Sequence, residues 1–437
     1  SFLIHFYSNT NALEHQHRYV KKKDGNDFDG WCWPGKSHYL DFTSEKVRKF
    51  WSEQFSFQKY EGSTESLYTW NDMNEPSVFN GPEVSMPKDA TSISGVEHRE
   101  WHNLYGFYQQ MATSRGLVER HKDQNERPFV LSRAYFAGSQ RYGAMWTGDN
   151  EAKWGHLAIA TPMLLTQGIA GFAFSGADVG GFFGNPSTEL LVRWYQAAVY
   201  QPFFRAHAHL ETKRREPWLF GDEILRLTRN AVLKRYALLP YLYTRYAEAE
   251  RTGMPVMRPL FFHYPEDDEV VDMDHQFLCG EELLIHPVTA SSAKEVEVYL
   301  PHGTWYDVDD LTRHEGAGYK KIPVTLSKIP VFQRGGSVIP RKRRVRRSSQ
   351  QMFKDPITLT IALDSNGEAR GDLYQDDEHT LDYKTLHAVR RVQYEFSELS
   401  LKSRIVDGNP AIYPTNPFKP ENQIERIEVL GLGFAPS

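Results

Sequence analysis

Between about residues 45 and 260 the apolar positions alternate between short runs and helical spacing. Leu67-Tyr68-Thr69-Trp70 predicts a strand that stops at Asn71-Asp72. From His98 to His121, residues Trp101, Leu104, Tyr105, Tyr108, Met111, Ala112 and Leu117 fall on one broad helical face. Phe129-Val130-Leu131 predicts the next strand, broken after Ser132-Arg133, and Ala144-Met145-Trp146 another, stopped by Thr147-Gly148-Asp149. Trp154 to Leu165 again has helical spacing. Ile169 to Phe174 predicts a fourth strand, closed by Ser175-Gly176-Ala177-Asp178. Asp222 to Arg251 predicts one long helix, kinked at Pro240, and Val256 to Leu260 one more strand. Upstream, the first thirty residues are weakly patterned, and Trp31-Cys32-Trp33-Pro34-Gly35 predicts a compact aromatic turn.

Strands alternating with helices through short loops imply a parallel sheet. Four successive strands end in polar, chemically capable groups. An open sheet gathers its ligands at one switch point, whereas a (β/α)8 barrel converges all its loops at the C-terminal rim. The expectation is therefore a TIM barrel. Beyond about residue 270 the period changes to two, as in Glu295-Val296-Glu297-Val298-Tyr299-Leu300 and in parts of Tyr319–Leu326 and Thr358–Leu363. Recurrent Gly, Asp and Asn turns there predict two small β-sandwiches. The expected division is a catalytic barrel over 1–269, a proximal β-sandwich over 270–345 and a distal one over 346–437.

Composition narrows the function. Charged residues nearly balance, 51 Lys+Arg against 56 Asp+Glu, which argues against a dedicated nucleic-acid binder. The basic run Arg341-Lys342-Arg343-Arg344-Val345-Arg346-Arg347 is expected to be a solvated strand or linker face. No apolar stretch is long enough for a membrane span. Cys32 and Cys279 cannot build a disulfide framework or a four-ligand zinc site, and are expected as two separate buried thiols. The chain starts at Ser1 without a signal peptide and ends without a retention signal, which reads as a fragment or a processed chain.

The chemistry concentrates in Trp70-Asn71-Asp72-Met73-Asn74-Glu75-Pro76 and Trp146-Thr147-Gly148-Asp149-Asn150. In a barrel these segments stand two strands apart on one rim. Two carboxylates facing a pocket are what glycoside hydrolysis needs, one at the anomeric carbon and one to protonate the leaving oxygen. Trp33, Trp70, Phe79, Trp146, Phe182 and Phe183 can offer flat faces to pyranose C–H surfaces. Arg133, His207, Asp178 and Asn74 can bond hydroxyls. In Arg205-Ala206-His207-Ala208-His209 both histidines point one way if the run is extended. No acidic partner at metal-ligand spacing accompanies them, so no metal and no other cofactor is expected. No Gly-x-Ser-x-Gly elbow and no phosphate loop is present. Taken singly, an Asp at a strand end more often caps the next helix. The case rests on several strand ends agreeing.

These same segments resemble glycoside hydrolase family 31. Trp70-Asn71-Asp72-Met73-Asn74-Glu75 resembles its nucleophile signature and Trp146-Thr147-Gly148-Asp149-Asn150 its acid/base segment. Gly176-Ala177-Asp178-Val179-Gly180-Gly181-Phe182 and Gln201-Pro202-Phe203-Phe204-Arg205-Ala206-His207 are similar to its later barrel loops. The resemblance implies a retaining exo-α-glucosidase with Asp72 as nucleophile and Asp149 as acid/base. Trp33, Trp70, Met73, Phe79, Arg133, Trp146, Phe182 and His207 match positions lining the glucose pocket, and Arg133 is expected beside Asp72. Within the family, the wording around Asn74–Glu83, Phe136–Arg141 and His207–Thr212 points to enzymes that trim α-1,3-linked glucose from N-linked oligosaccharides in the endoplasmic reticulum. Those work with a β subunit that carries the retention signal.

The family contributes barrel strands and an early sugar-gripping Asp before the nucleophile strand. Here Ser1–Arg18 shows no match, so the barrel is expected to lack its first strands and the isolated chain to be unstable or inactive. The alternatives are another enzyme of the family, a maltase or an α-xylosidase, and a truncated non-catalytic product that binds carbohydrate or a partner.

Overall fold

The computed structural model describes residues 17–408, 411, 416 and 418–433. The chain divides into two compact units, Ser1–Trp146 with His379–Leu381, and Thr147–Glu378 with Asp382–Ser437.

In the first unit the hairpin β1 (Asp29–Cys32) and β2 (Gly35–His38) closes around the expected Trp33-Pro34 turn. Helix α1 (Glu45–Glu53), strand β3 (Thr69–Asn71), the short α2 (His98–Trp101), the longer α3 (Tyr105–Arg120), and strands β4 (Val130–Ser132) and β5 (Ala144–Trp146) follow. The helix expected from His98 to His121 is interrupted by a 3-10 turn at His102–Leu104, because Trp101 leaves helical geometry (φ −132°, ψ 10°). Strands β3, β4 and β5 are parallel neighbours, with Asn71 level with Ser132 and Ser132 with Met145. Helix α1 buries Val47 and Trp51. The Trp51 indole donates to Thr113 Oγ1 at 2.8 Å, tying α1 to α3. Phe42, Trp51, Phe55, Leu117 and Val130 make one core beneath these strands. At Gly106 an added Cβ would lie 2.7 Å from the Asn74 carbonyl, so α3 reaches the loop after β3 only because the residue is glycine.

The second unit begins with α4 (Trp154–Ile169), β6 (Ser175–Gly176), α5 (Thr188–Ala198), α6 (Asp222–Ala237) and α7 (Leu239–Thr252). Two expectations change here. The apolar run from Ile169 to Phe174 is not a strand. Ile169 ends α4, and the strand is only Ser175–Gly176. The long helix is two helices rather than one kinked rod. They part at Leu238, and Pro240 sits in the first turn of α7, where its missing N–H costs nothing. Helix α5 is capped by the Ser187 side chain, which accepts from Leu190 N at 3.2 Å.

Strand β7 (Met257–Arg258) pairs antiparallel with β8 (Phe277–Cys279), so the strand expected at Val256–Leu260 belongs to the following sheet rather than to a βα repeat. Then come β9 (Leu283–Ile285), β10 (Glu295–Leu300), β11 (Thr304–Asp307), β12 (Arg313–Glu315), β13 (Gly318–Pro323) and β14 (Val331–Arg334). The sheet order is β12-β11-β14-β9-β8-β7, with β10 and β13 as a separate pair. Next are β15 (Ser337–Arg341), β16 (Ile357–Ala362), β17 (Ala369–Gln375), the short α8 (Asp382–Thr385), β18 (Arg390–Ser397), β19 (Ser400–Asp407) and β20 (Ile424–Leu430). They form a second sheet in the order β19-β18-β17-β15-β16-β20.

The basic run after β15 is largely absorbed by acidic partners. Arg343 pairs with Glu428, Arg344 with Glu425 and Arg346 with Asp355. Lys342 is buried, and its Nζ donates to the Phe353 carbonyl at 3.0 Å. Cys32 and Cys279 are both buried and free. No helix among the described residues is long and apolar enough to cross a membrane.

Candidate active site

In the first unit the site grows from the C-terminal ends of β3 and β4. Asn71 and Ser132 are register partners, so Asp72 and Arg133, one residue further on, emerge side by side. The Arg133 amide donates to the Asn71 carbonyl at 3.0 Å, which fixes that register at the edge. Arg133 Nη1 lies 3.0 Å from Asp72 Oδ1. Its Nε and Nη2 donate to the two Glu75 oxygens at 2.7 and 3.2 Å, and Nη2 also reaches Met73 Sδ at 3.0 Å. One guanidinium thus reaches two carboxylates. Met73 has φ 60°, a left-handed conformation rare for a side chain of its size. Strain of this kind persists only where the surroundings impose it.

Asn74 does not face a ligand, contrary to the sequence expectation. It is buried, its Nδ2 donates to Ser132 Oγ at 2.8 Å, and its Oδ1 accepts from Ala134 N at 2.9 Å. Both ends of the amide are used to lock the β3 loop to the β4 loop. The aromatic residues also divide. Trp33 (62% exposed) and Phe79 (38%) meet edge to face at 5.1 Å, leaving open faces. Their placement follows from the backbone: Phe79 N donates to the Trp31 carbonyl at 2.7 Å, and Trp31 N donates to Asn80 Oδ1 at 2.8 Å. Trp146 is only 2% exposed and packs its ring against Trp70 at 5.9 Å, so it backs Trp70 rather than offering a face of its own. Burial raises the Cys32 thiol above its ordinary value, which leaves it no nucleophile.

In the second unit Asp149 is exposed on the turn at Gly148. The next residue, Asn150, fastens that turn to the loop after β6. Its Oδ1 accepts from Phe182 N at 2.9 Å, its Nδ2 donates to the Asp178 carbonyl at 3.1 Å, and its own carbonyl accepts from Phe182 N and Phe183 N. Gly181 permits the approach: it has φ 84°, and an added Cβ would stand 2.3 Å from Ala152 N. Phe182 and His207 rings lie 5.3 Å apart, and Phe182 also meets His209 at 5.6 Å. The two histidines thus share a side, as the alternation predicted. Burial, then Arg205 and Arg215, lower His207 to about 4, so its imidazole is neutral at physiological pH.

Asp178, expected as a substrate-binding residue, is 1% exposed. Arg205 grips its Oδ1 through Nε at 3.1 Å and Nη2 at 2.7 Å. Burial raises it to about 6, Arg205 opposes that rise, and the charge of Asp149 adds to it. Arg215 donates to the carbonyls of Gly180 and His207, joining the two loops. Among the described residues no group of three His, Cys, Asp or Glu side chains is arranged to hold a metal.

Asn150, Arg205, Arg215 and the Glu75 contact to Arg133 were missed by residue-level reasoning. The alternation that aligned His207 with His209 also aligns Arg205, and that signal was in the sequence. Nothing local marks Arg215 or the orientation of Asn150.

Comparison with known proteins agrees with this picture. The pattern described as the glycosyl hydrolases family 31 TIM-barrel domain matches residues 4–245, and that of the glycosyl hydrolase family 31 C-terminal domain matches residues 253–339. The barrel match starts inside the stretch expected to match nothing, which overturns that expectation; residues 1–16 lie outside the described residues. Neutral alpha-glucosidase AB of Dictyostelium discoideum is 54% identical over 419 residues, covering 95% of this chain and 44% of that protein. A crystal structure of glucosidase II alpha subunit, in its alpha3-Glc2-bound form, superposes with a TM-score of 0.91 at 42% identity, covering 98% of this chain and 47% of that one. The ER glucosidase II heterodimeric complex, of a catalytic subunit and the binding domain of a regulatory subunit, also gives 0.91 at 42% identity, with 97% and 47% covered. The chain spans less than half the length of the curated relatives it matches.

Proposed function

From the premise that this chain belongs to glycoside hydrolase family 31, we propose that it supplies the nucleophile and the acid/base of a retaining exo-α-glucosidase. The observation that carries the reading is Arg133 set 3.0 Å from Asp72 at the end of a parallel strand, within the family's own barrel domain. Asp72 attacks the anomeric carbon of a terminal glucose from the face opposite the departing group. Asp149 donates its proton to the glycosidic oxygen, which leaves as the aglycone alcohol. A β-linked glucosyl ester forms on Asp72. Asp149, now a carboxylate, takes a proton from water as the water oxygen attacks the same carbon. The Asp72 carboxylate is released, Asp149 is again protonated, and the sugar emerges as α-glucose.

Met73 and Arg133 border Asp72, and Trp70, backed by Trp146, stands beside it. Trp33 and Phe79 provide exposed ring faces, with Phe182 and His207 as further sugar contacts. Neutral His207 acts as a hydrogen-bonding partner, not a cation. The α-1,3 linkage is supported by the resemblance to the alpha3-Glc2-bound glucosidase II alpha subunit, and the N-linked oligosaccharide substrate by the motifs around Asn74–Glu83, Phe136–Arg141 and His207–Thr212. A β subunit partner and a place in the lumen of the endoplasmic reticulum are supported by the heterodimeric ER complex among the relatives.

The test is trapping with a mechanism-based fluorosugar on the purified protein carrying this chain. A glucosyl label on Asp72, with α-glucose as the first product seen by NMR, is the expected result. Label on another residue, or β-glucose first, overturns it. Preference for an α-1,4 disaccharide or an α-xyloside over the α-1,3 glucoside would leave the mechanism standing and move the substrate within the family.

A further inference from the structure

In the second unit Lys342, the residue after β15, is 8% exposed. Its Nζ donates to the Phe353 carbonyl at 3.0 Å, a neutral partner, and it forms no ion pair among the described residues. An ammonium carries three donors, so this single bond leaves two unused. The neighbouring acids are engaged elsewhere. Asp355 holds Arg346 at 2.7 Å, and Asp376 accepts from the Tyr243 and Tyr374 hydroxyls at 2.5 and 3.0 Å. Burial lowers the Lys342 ammonium below its ordinary value, and the charges of Glu378 and Asp355 oppose that fall. A cation taken out of water beside a neutral acceptor is costly, and an anion placed against it offsets the cost.

That ammonium lines a cavity of about 250 Å³. The end of α6, the first turns of α7, β17 and the 3-10 turn Gln350–Met352 enclose it. Leu239, Tyr246, Met352, Ile357, Leu373 and Phe418 supply its apolar walls. The other polar groups around it have partners. Arg235 gives its guanidinium to the carbonyls of Val199, Gln201 and Pro202, and Gln375 donates to Asn422 at 2.9 Å. Small-molecule sites are mostly apolar hollows with a few placed polar groups. This one is smaller than the hollows that take drug-sized ligands, so it suits one ring with a short tail. Aromatic walls and a methionine favour that ring being aromatic. Asp376 and Glu378 also border the cavity, so a single negative charge suits it better than a phosphate, whose second charge would meet no free cation.

We propose that this cavity binds a small aromatic monocarboxylate, with the ring against Met352, Leu373 and Phe418 and the carboxylate paired with Lys342 Nζ. None of the residues lining it is among those assigned to the sugar, so the site stands or falls apart from the glycosidase reading.

The test titrates hydrocinnamate, a phenyl ring on a short carboxylate tail, into the purified protein carrying this chain and follows it by calorimetry. One equivalent per chain is expected to bind, with Kd on the order of 0.1 mM. Its primary amide has the same shape without the charge and should bind roughly tenfold more weakly. Lys342→Met keeps the apolar stem and removes the ammonium, which should bring acid and amide to about equal affinity. Leu373→Trp fills the cavity from its apolar side and keeps Lys342; it should abolish binding of both. A cooperative thermal transition establishes that each variant is folded, and if Lys342→Met is not, the amide and Leu373→Trp decide the question. Absence of saturable binding up to about a hundred times the expected Kd means that the hollow holds water only. Equal affinity for acid and amide in the unaltered protein means that Lys342 reads no charge. Binding that survives Leu373→Trp puts the probe elsewhere. Each of these three results overturns the proposal.

Discussion

Arg133 shows how much one side chain can fix. Its fork reaches Asp72 at 3.0 Å, Glu75 at 2.7 Å and Met73 Sδ at 3.0 Å. A lysine has one compact charge and no planar fork, so it cannot serve these partners together. Arg133→Lys is expected to lower kcat/KM on an α-glucoside roughly hundredfold. Thermal stability should change little, since Arg133 is part-exposed at the strand end rather than in the core. A drop of less than threefold would show that Asp72 is oriented by something else. Asn74 and Asp178 carry the complementary lesson. The sequence marks both as polar residues in a chemical motif, yet both are buried and point inward. Residue type tells what a group can bond, and only the fold tells which partner reaches it first.

At the scale of elements, the site depends on close approaches between loops. Gly181 has φ 84°, and a Cβ there would stand 2.3 Å from Ala152 N. Gly181→Ala therefore adds a clash with backbone to a strained dihedral. A loss of about 1–3 kcal/mol is expected from the dihedral alone, read as a lower urea midpoint. Turnover should fall as well, because the Asn150 bonds to Phe182 and Phe183 must shift with the loop. Unchanged stability would mean that the loop can move away from Ala152. The elements themselves were unevenly legible. β5 is the apolar triplet Ala144–Trp146 and was readable as such. β6 is Ser175–Gly176, which has no apolar signal, so the preceding run, the end of α4 and its exit, was mistaken for it. The break at Leu238 looked like a kink because the apolar spacing continues through Pro240. The strand β10 was legible from its alternating sequence, although the chain buries Val298, Tyr299 and Leu300 in a row. What the sequence could not show is which barrel residues lie under others, since burial at a loop is set by long-range packing rather than by periodicity.

For the molecule as a whole, the buried titratable groups set how it answers to acid. His98, His207, His263 and His286 are each lowered to about 4, in every case chiefly by burial. Unfolding returns them to their ordinary value of about 6.5. The unfolded chain therefore takes up these protons first as pH falls. The stability these histidines lend is complete above about pH 6.5 and is lost as pH drops toward 4. Each contributes up to about 1.4 kcal/mol per pH unit within that window. Among the described residues two carboxyls act the other way. Asp178, raised to about 6 by burial, and Glu281, raised by burial and then by Glu282, are easier to protonate when folded, so acid relieves them. Four groups against two leave a net loss, and urea midpoints taken from pH 7 down to pH 5 should fall steadily. His98 is the sharpest single probe: it is 1% exposed, with His102 Nδ1 2.8 Å from its Nε2. His98→Gln should flatten the dependence of unfolding free energy on pH by up to about 1.4 kcal/mol per unit between pH 6.5 and 4.5. The comparison uses slopes, so a constant cost of the substitution drops out. A wild-type midpoint that rises on acidification, or a His98→Gln slope equal to the parent's, would mean that the imidazole accepts its proton inside the fold.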